Sequence, residues 1–331
     1  LLPFDPLVRN PHAQTIGAAL WPRPFDPVRY PVSASYFDTE NDVRVLVHSQ
    51  MPAGTPRGHV LLVHGLEGSS DAGYMRSAAH AVLETGYAAH RFNIRSCGGT
   101  ESLCKTLYHA GLTTDVRFVA LQLAEKFRTP LVLAGFSLGA NIVVKLAGEL
   151  GDDAQRWIRA VMAVSPPLDL RACAFALKRP QCRLYQDRFL KNMAARLRRR
   201  HALRPDLFAI QALDGIGSVY EFDDRITAQF FGFGSAERYY GTQSCGLFLD
   251  AIRVPALLVH AKDDPMIPFD VFAHPAFQSN PHLKLLAVEH GGHVGFLARG
   301  KRRFWVDHVL CAWLEQTAHA SGNNRERSFV L

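Results

Sequence analysis

The sequence predicts an α/β fold built as a mostly parallel, doubly wound sheet, and three observations carry that prediction. Short apolar runs alternate with amphipathic stretches of helical length. A pentapeptide, Gly135-Phe136-Ser137-Leu138-Gly139, sits where one such run passes into a helix. Two later runs end in loops rich in Asp, His and Gly. The runs near 58–64, 88–94, 131–136, 160–165, 255–261 and 283–288 read as buried strands, and the stretches near 74–85, 112–127, 138–149 and 304–318 read as helices. In the last of these, Val306, Val309, Leu310, Trp313 and Leu314 recur at helical spacing. Between Pro167 and about Asp250 the alternation breaks into helices and loops. Residues 167–250 are therefore expected to form a helical cap, inserted after the sixth strand of one domain spanning 1–331 and shaping a pocket over the sheet.

The pentapeptide carries chemistry. A serine is a poor nucleophile at its free pKa, and a strained strand-to-helix turn presents one for attack on an electrophilic carbon. The flanks suit that use: Leu131-Val132-Leu133-Ala134 follows Pro130 as a buried strand, and the helix from Leu138 to Ala147 begins with small residues. The partners of such a serine follow in chain order, acid and then histidine. An acid is offered by Asp263 and Asp264, after the strand Val254–Ala261; a histidine is offered by His290 and His293, after the strand Leu283–Val288. Successive residues leaving a strand point to opposite sides, so only one of the two aspartates can face the histidine. His293 is preferred because Gly291 and Gly292 let the backbone fold sharply before it; His290 has the alternative of a structural hydrogen bond at the strand end. An earlier apolar strand, 58–63, ends in His64-Gly65, a turn suited to backbone donors for an oxyanion, with His64 expected to brace it.

These residues resemble the AB-hydrolase 4 family, the YheT-like branch of α/β-hydrolases that includes plant embryogenesis-associated proteins and mammalian abhydrolase-domain lipid hydrolases. The resemblance covers most of the chain. It begins at Asn10-Pro11-His12-Ala13-Gln14-Thr15-Ile16 and continues through His64-Gly65-Leu66-Glu67-Gly68-Ser69-Ser70, Phe92-Asn93-Ile94-Arg95-Ser96-Cys97-Gly98-Gly99 and Tyr108-His109-Ala110-Gly111. It then takes in the pentapeptide, Phe222-Asp223-Asp224 with Tyr239-Tyr240, Asp263-Asp264-Pro265, and Gly291-Gly292-His293-Val294-Gly295-Phe296. Ser96 departs from the pattern, which more often has glycine there. The resemblance implies an α/β-hydrolase fold and a serine hydrolase cleaving short- to medium-chain or lipid esters. The family's usual spacing of three residues before a proline, here Pro268, favours Asp264 over Asp263, giving a triad of Ser137, Asp264 and His293. It also implies an oxyanion hole from the backbone N–H groups of Leu66 and Leu138. An acyltransferase would use the same triad with an alcohol in place of water. A noncatalytic binding protein of this fold would be expected to carry a damaged triad, and this one is intact.

Composition bounds the alternatives. A chain of 331 residues, 48% hydrophobic and 20% charged, can bury a large core. The six cysteines form no CxxC, which predicts reduced thiols and a cytoplasmic protein. No apolar run approaches the ~18 residues of a spanning helix. Leu1-Leu2-Pro3-Phe4-Asp5-Pro6 has no signal-peptide core, and the lack of an initiator Met suggests that residues upstream have been lost. No cofactor is expected: there is no GxxxxGK[ST], and Gly215-Ile216-Gly217 lacks the third glycine of a dinucleotide site. No metal is expected either, since His290 and His293 have no evident third ligand. The net charge of +7 is concentrated: Lys178 to Arg204 holds ten basic residues against Asp187 alone, a net +9, leaving −2 for the rest. Leu190, Met193, Ala194 and Leu197 place an apolar stripe on the same helix. Two expectations compete, a solvated helix packing its stripe on the core, or a surface in which Arg196, Arg198, Arg199 and Arg200 meet anionic lipid or an acidic partner. No nucleic-acid partner is expected. The oligomeric state is left open by the sequence, and the polar tail Ser321–Arg327 is expected to be mobile.

Overall fold

Largely apolar runs, in which His90 and Arg91 are buried with the rest, must bury both faces, and they form the centre of one eight-stranded sheet. In the computed structural model, which describes residues 3–326 and side chains as far as residue 318, these are β3 (His59–Val63), β4 (Ala88–Phe92), β5 (Leu131–Phe136), β6 (Ile158–Val164) and β7 (Ala256–Ala261). β8 (Leu283–Val288) lies at one edge and is only half buried. Two strands unforeseen in the sequence, β1 (Ser33–Glu40) and β2 (Val43–Gln50), form an antiparallel hairpin at the other edge, turning through Asp42 in the left-handed region. The order is β1-β2-β4-β3-β5-β6-β7-β8, parallel from β4 onward. Chain direction across the sheet reverses at β3, so loops leaving the adjacent β3 and β5 diverge and open a crevice at their carboxyl ends.

Helices cover both faces. α1 (Pro11–Leu20) precedes the sheet; Asn10 caps it by accepting the Ala13 N–H at 2.9 Å, and Pro11 occupies its first turn. α2 (Gly73–Glu84) packs one face together with the closing helix Trp305–Glu326. α3 (Thr114–Phe127) and α4 (Leu138–Leu150) pack the other. Of the expected tail Ser321–Arg327, residues 321–326 fall at the end of the closing helix, and Arg327 lies outside the described residues, as do the side chains beyond residue 318.

Between β6 and β7 the chain forms no strand. It forms α5 (Leu170–Leu177), α6 (Arg183–Leu203), a series of short helical turns and α7 (Ala236–Gln243); the closing helix is α8. Asn141 of α4 ties this segment to the body: its amide donates to Ala110 and Gln243 carbonyls and accepts the Cys245 N–H at 2.8 Å. The apolar stripe of α6 points inward, with Met193 and Leu197 buried. The basic side chains do not all point outward as the sequence suggested. Arg196 and Arg200 are buried, and Arg199 pairs with Glu101 at 2.9 Å. Arg200 bonds the backbone carbonyls of Glu101 and Thr106. All six cysteines are free thiols, and among the described residues no helix is long and apolar enough to cross a membrane.

Candidate active site

The glycines of the pentapeptide are set by close approach. A Cβ on Gly135 would lie 2.3 Å from the Gly139 carbonyl oxygen, and one on Gly139 would lie 2.3 Å from that of Val63. β5, α4 and the end of β3 therefore meet at van der Waals limit, and Ser137 occupies the corner. Its φ of 52° and ψ of −118° lie in a region that non-glycine residues rarely adopt. The corner lifts the side chain off the sheet at the amino end of α4.

His293 reaches it from the loop after β8. Its Nε2 is 2.9 Å from Ser137 Oγ, and its Nδ1 is 2.8 Å from Asp264 Oδ2. The other oxygen of Asp264 accepts the N–H groups of Met266 and Ile267 at 2.8 and 3.0 Å. Burial alone would raise the Asp264 carboxyl; the adjoining His293, with smaller help from His260 and the Met266 N–H, outweighs it and holds the acid below its ordinary value. Asp263 and His290 form a separate pair at 3.2 Å, and Asp263 also accepts the Gly292 N–H at 3.0 Å. The structure thus brings together Ser137, Asp264 and His293, and it leaves Asp263 and His290 beside them.

The turn after β3 packs against the corner: a Cβ on Gly65 would meet Ser137 Cβ at 3.1 Å. The amides flanking Leu66 are held by tyrosine hydroxyls, Gly65 N–H donating to Tyr74 at 2.9 Å and Glu67 N–H to Tyr108 at 3.1 Å. Leu138, as the first residue of α4, has an amide without an intrahelical acceptor. Two backbone donors, from Leu66 and Leu138, therefore flank Ser137 on neighbouring segments. His64 is fully buried and accepts the Ile94 N–H at Nε2; burial pushes its pKa down to about 4, and it braces the turn as a neutral ring.

Sequence reasoning noted the motif Asn10–Ile16 without a role for it, and the structure supplies one. Thr15 Oγ1 accepts the His293 backbone N–H at 2.9 Å. Buried Gln14 donates to the Val8 and Leu297 carbonyls and accepts the Leu297 N–H at 2.7 Å. His12 Nδ1 meets the Tyr185 hydroxyl of α6 at 2.9 Å. α1 thus clamps the histidine loop, which is itself strained at Val294 and Phe296. A polar motif on a helix without a strong apolar face gives no such signal in sequence.

Two cavities meet at Ser137. An inner one of about 110 Å³ runs beneath the segment between β6 and β7, with a largely apolar wall that includes Leu170, Leu177, Met193, Val219 and Ile267. An outer one of about 830 Å³ opens between α1 and α6, past Ile16, Leu20, Leu184 and Arg188. Leu66, Ser137, Phe189, Arg196, Met266 and His293 line both. Among the described residues no cluster of His, Cys, Asp or Glu could hold a metal ion.

A serine at the crevice of a sheet of this order, under a helical segment between β6 and β7, is the layout of an α/β hydrolase. A family profile described as the alpha/beta hydrolase fold matches residues 58–299. The putative esterase YheT of Escherichia coli (strain K12) is 31% identical over 83% of this chain and 82% of its own length. A monoacylglycerol lipase of Saccharomyces cerevisiae is 31% identical over 77% of this chain, and the phospholipase ABHD3 of Mus musculus is 27% identical over 80%. The matches span 58% and 63% of those two longer relatives. Among solved structures, an esterase of Pyrococcus furiosus superposes with a TM-score of 0.59 at 17% identity, over 89% of this chain and 95% of that one, a likeness of fold. The chain belongs to the α/β-hydrolase fold family, in its YheT-like branch.

Proposed function

We propose that this ester hydrolase works through an acyl-enzyme on Ser137. His293 takes the Ser137 proton as Oγ attacks the ester carbonyl and returns it to the leaving alcohol; Asp264 holds the imidazole in the required tautomer and stabilises the imidazolium. The N–H groups of Leu66 and Leu138 receive the charge that develops on the carbonyl oxygen. Water then attacks the acyl carbonyl as His293 takes its proton; the acyl–Oγ bond breaks, His293 returns the proton to Ser137 Oγ, and the acid is released. The observation that carries this reading is the continuous relay Asp264–His293–Ser137, at 2.8 and 2.9 Å, at the one corner where both cavities meet.

The helical segment between β6 and β7 acts as the cap of a single α/β-hydrolase domain. Its inner cavity takes the acyl chain and its outer one the alcohol, which suits esters with an apolar acyl group and a variable head. The relatives named as monoacylglycerol lipase and phospholipase support lipid esters as the natural class. The exposed apolar residues Ile16, Leu20 and Leu184 flank the outer opening together with exposed Arg188, a rim suited to an anionic lipid surface.

A fluorophosphonate probe tests the nucleophile. Wild type is labelled on Ser137, and Ser137→Ala loses both labelling and hydrolysis of p-nitrophenyl esters while keeping its thermal transition. Labelling that survives in folded Ser137→Ala overturns the assignment. A series of p-nitrophenyl esters of increasing chain length then measures the acyl pocket, with a fall in kcat/KM marking its end.

A further inference from the structure

The turn that presents Leu66 is built around a residue that should not be there on backbone grounds. Gly68 N–H closes the turn onto the Gly65 carbonyl at 3.0 Å, and Glu67, its third residue, has φ of 55°. Glycine fills such a position without strain; glutamate does not. What holds it is a buried cluster. The Tyr108 hydroxyl accepts the Glu67 N–H at 3.1 Å and donates to its carboxylate at 2.8 Å. Arg196 of α6 pairs with the same carboxylate oxygen at 2.6 Å, both side chains being 6% exposed. The guanidinium lies 4.1 Å over the Tyr108 ring, and its Nε and Nη1 have no other partner.

We infer that the Arg196–Glu67 ion pair is a latch by which the helical segment between β6 and β7 holds the Leu66 amide in position to receive the oxyanion. Arg196 and Glu67 are positioning residues, acting through the backbone of the turn, and the inference rests on the role proposed for Leu66. Loss of Arg196 leaves Glu67 buried with one hydroxyl partner, and the carboxylate turns toward water. The strained φ then relaxes, and the Leu66 donor moves off its target. Because the oxyanion bond forms only in the transition state, the loss falls on kcat and not on KM. The pair also accounts for one of the two buried arginines of α6; the other, Arg200, is held by the backbone carbonyls of Glu101 and Thr106.

Three variants test this with p-nitrophenyl butyrate, a neutral ester: Arg196→Met, Arg196→Lys and Glu67→Gln, the last keeping the shape and the Tyr108 hydrogen bond. Arg196→Met should lower kcat by about 10- to 100-fold with KM within about threefold. Arg196→Lys should recover part of the loss, and Glu67→Gln should fall between. A trifluoromethyl ketone, whose adduct on serine carries a negative oxygen, should bind each variant more weakly in proportion to its loss in kcat/KM. Unchanged ketone affinity, or equal kcat in Glu67→Gln and wild type, overturns the latch. Selective loss for an anionic ester with the neutral ester unaffected also overturns it, and would make Arg196 a substrate-charge site. Should Arg196→Met not fold, the two conservative variants carry the decision. Failure of the Ser137 mechanism is distinguishable, because wild type itself would then resist fluorophosphonate and ketone alike.

Discussion

Two aspartate–histidine pairs lie side by side at the ends of β7 and β8, and they differ in what surrounds them rather than in their chemistry. The side chain of Asp264 is fully buried and that of His293 10% exposed, whereas Asp263 and His290 are 18% and 35% exposed. Asp264 spends its second oxygen on two amides of its own turn, which fixes it relative to β7. Asp263 spends its second oxygen on Gly292, in the loop that carries His293. One pair meets the serine, and the other fastens the loop that makes the meeting possible. A shift of one residue along the chain separates the two because consecutive side chains leave a strand on opposite sides.

The largest expected effect breaks the comparison outright. Asp264→Asn and His293→Ala should each lower kcat by about 10⁴-fold, the scale of triad losses. Asp263→Asn and His290→Ala should cost about tenfold or less, through the loop. Purified variants with matched thermal transitions decide it, and a severe loss in Asp263→Asn with near-normal Asp264→Asn would exchange the roles.

A smaller effect sharpens the supporting side. Thr15 accepts the His293 amide from α1, so Thr15→Val should lower kcat by roughly tenfold through displacement of the imidazole. Thr15→Ser, which keeps the hydroxyl, should restore it. Equal rates in wild type and Thr15→Val would mean that the loop's other bonds, Asp263 to Gly292, Ser165 to Val294 and Gln14 to Leu297, position it without Thr15.

A third carboxylate shows what the histidine does for Asp264. Asp223 is buried in the wall of the inner cavity with hydroxyl partners only, Tyr240 at 2.7 Å and Thr227 at 2.8 Å. Burial pushes it up to about 6, against the opposing effects of those hydroxyls and of Arg196. A carboxyl with a raised folded pKa lends stability below its unfolded pKa of about 4 and loses it as the pH climbs through about 6. The Tm of Asp223→Asn relative to wild type should therefore rise between pH 4 and 6 and level off above. A flat difference would show that Asp223 titrates as an ordinary carboxylate.

The sheet's parallel core and the serine corner were legible because they rest on local signals: apolar runs, and glycines where segments touch. The two aspartates were narrowed to one by strand geometry together with a family spacing. β1 and β2 were not legible. β1 alternates exposed residues such as Tyr36, Asp38 and Glu40 with half-buried Ser35, Phe37 and Thr39, and its pairing with β2 is what makes it a strand. The supports of the site were not legible either, since Thr15, Tyr108 and Arg196 act across long sequence separations. Charge counting went furthest astray at α6, where Arg196 and Arg200 turn inward and leave a thinner surface cluster than the composition implied.

The smallest effect on chemistry comes from what remains of that cluster. Arg188, Lys191 and Arg198 are exposed on α6, and Arg188 lines the outer opening near exposed Leu184. A cation near an anionic membrane contributes about 1 kcal/mol, screened by salt. Replacing all three with Gln should therefore weaken binding to phosphatidylserine-containing vesicles by on the order of 10² at low salt and flatten its salt dependence. Hydrolysis of p-nitrophenyl butyrate should stay within about twofold, because neither aspartate–histidine pair touches these side chains. Co-sedimentation at two salt concentrations, with neutral phosphatidylcholine vesicles alongside, makes the measurement. Equal binding of wild type to anionic and neutral vesicles at low salt would reduce these residues to a solvated helix face. The apolar rim of Ile16, Leu20 and Leu184 would then be left as the only route to a lipid surface.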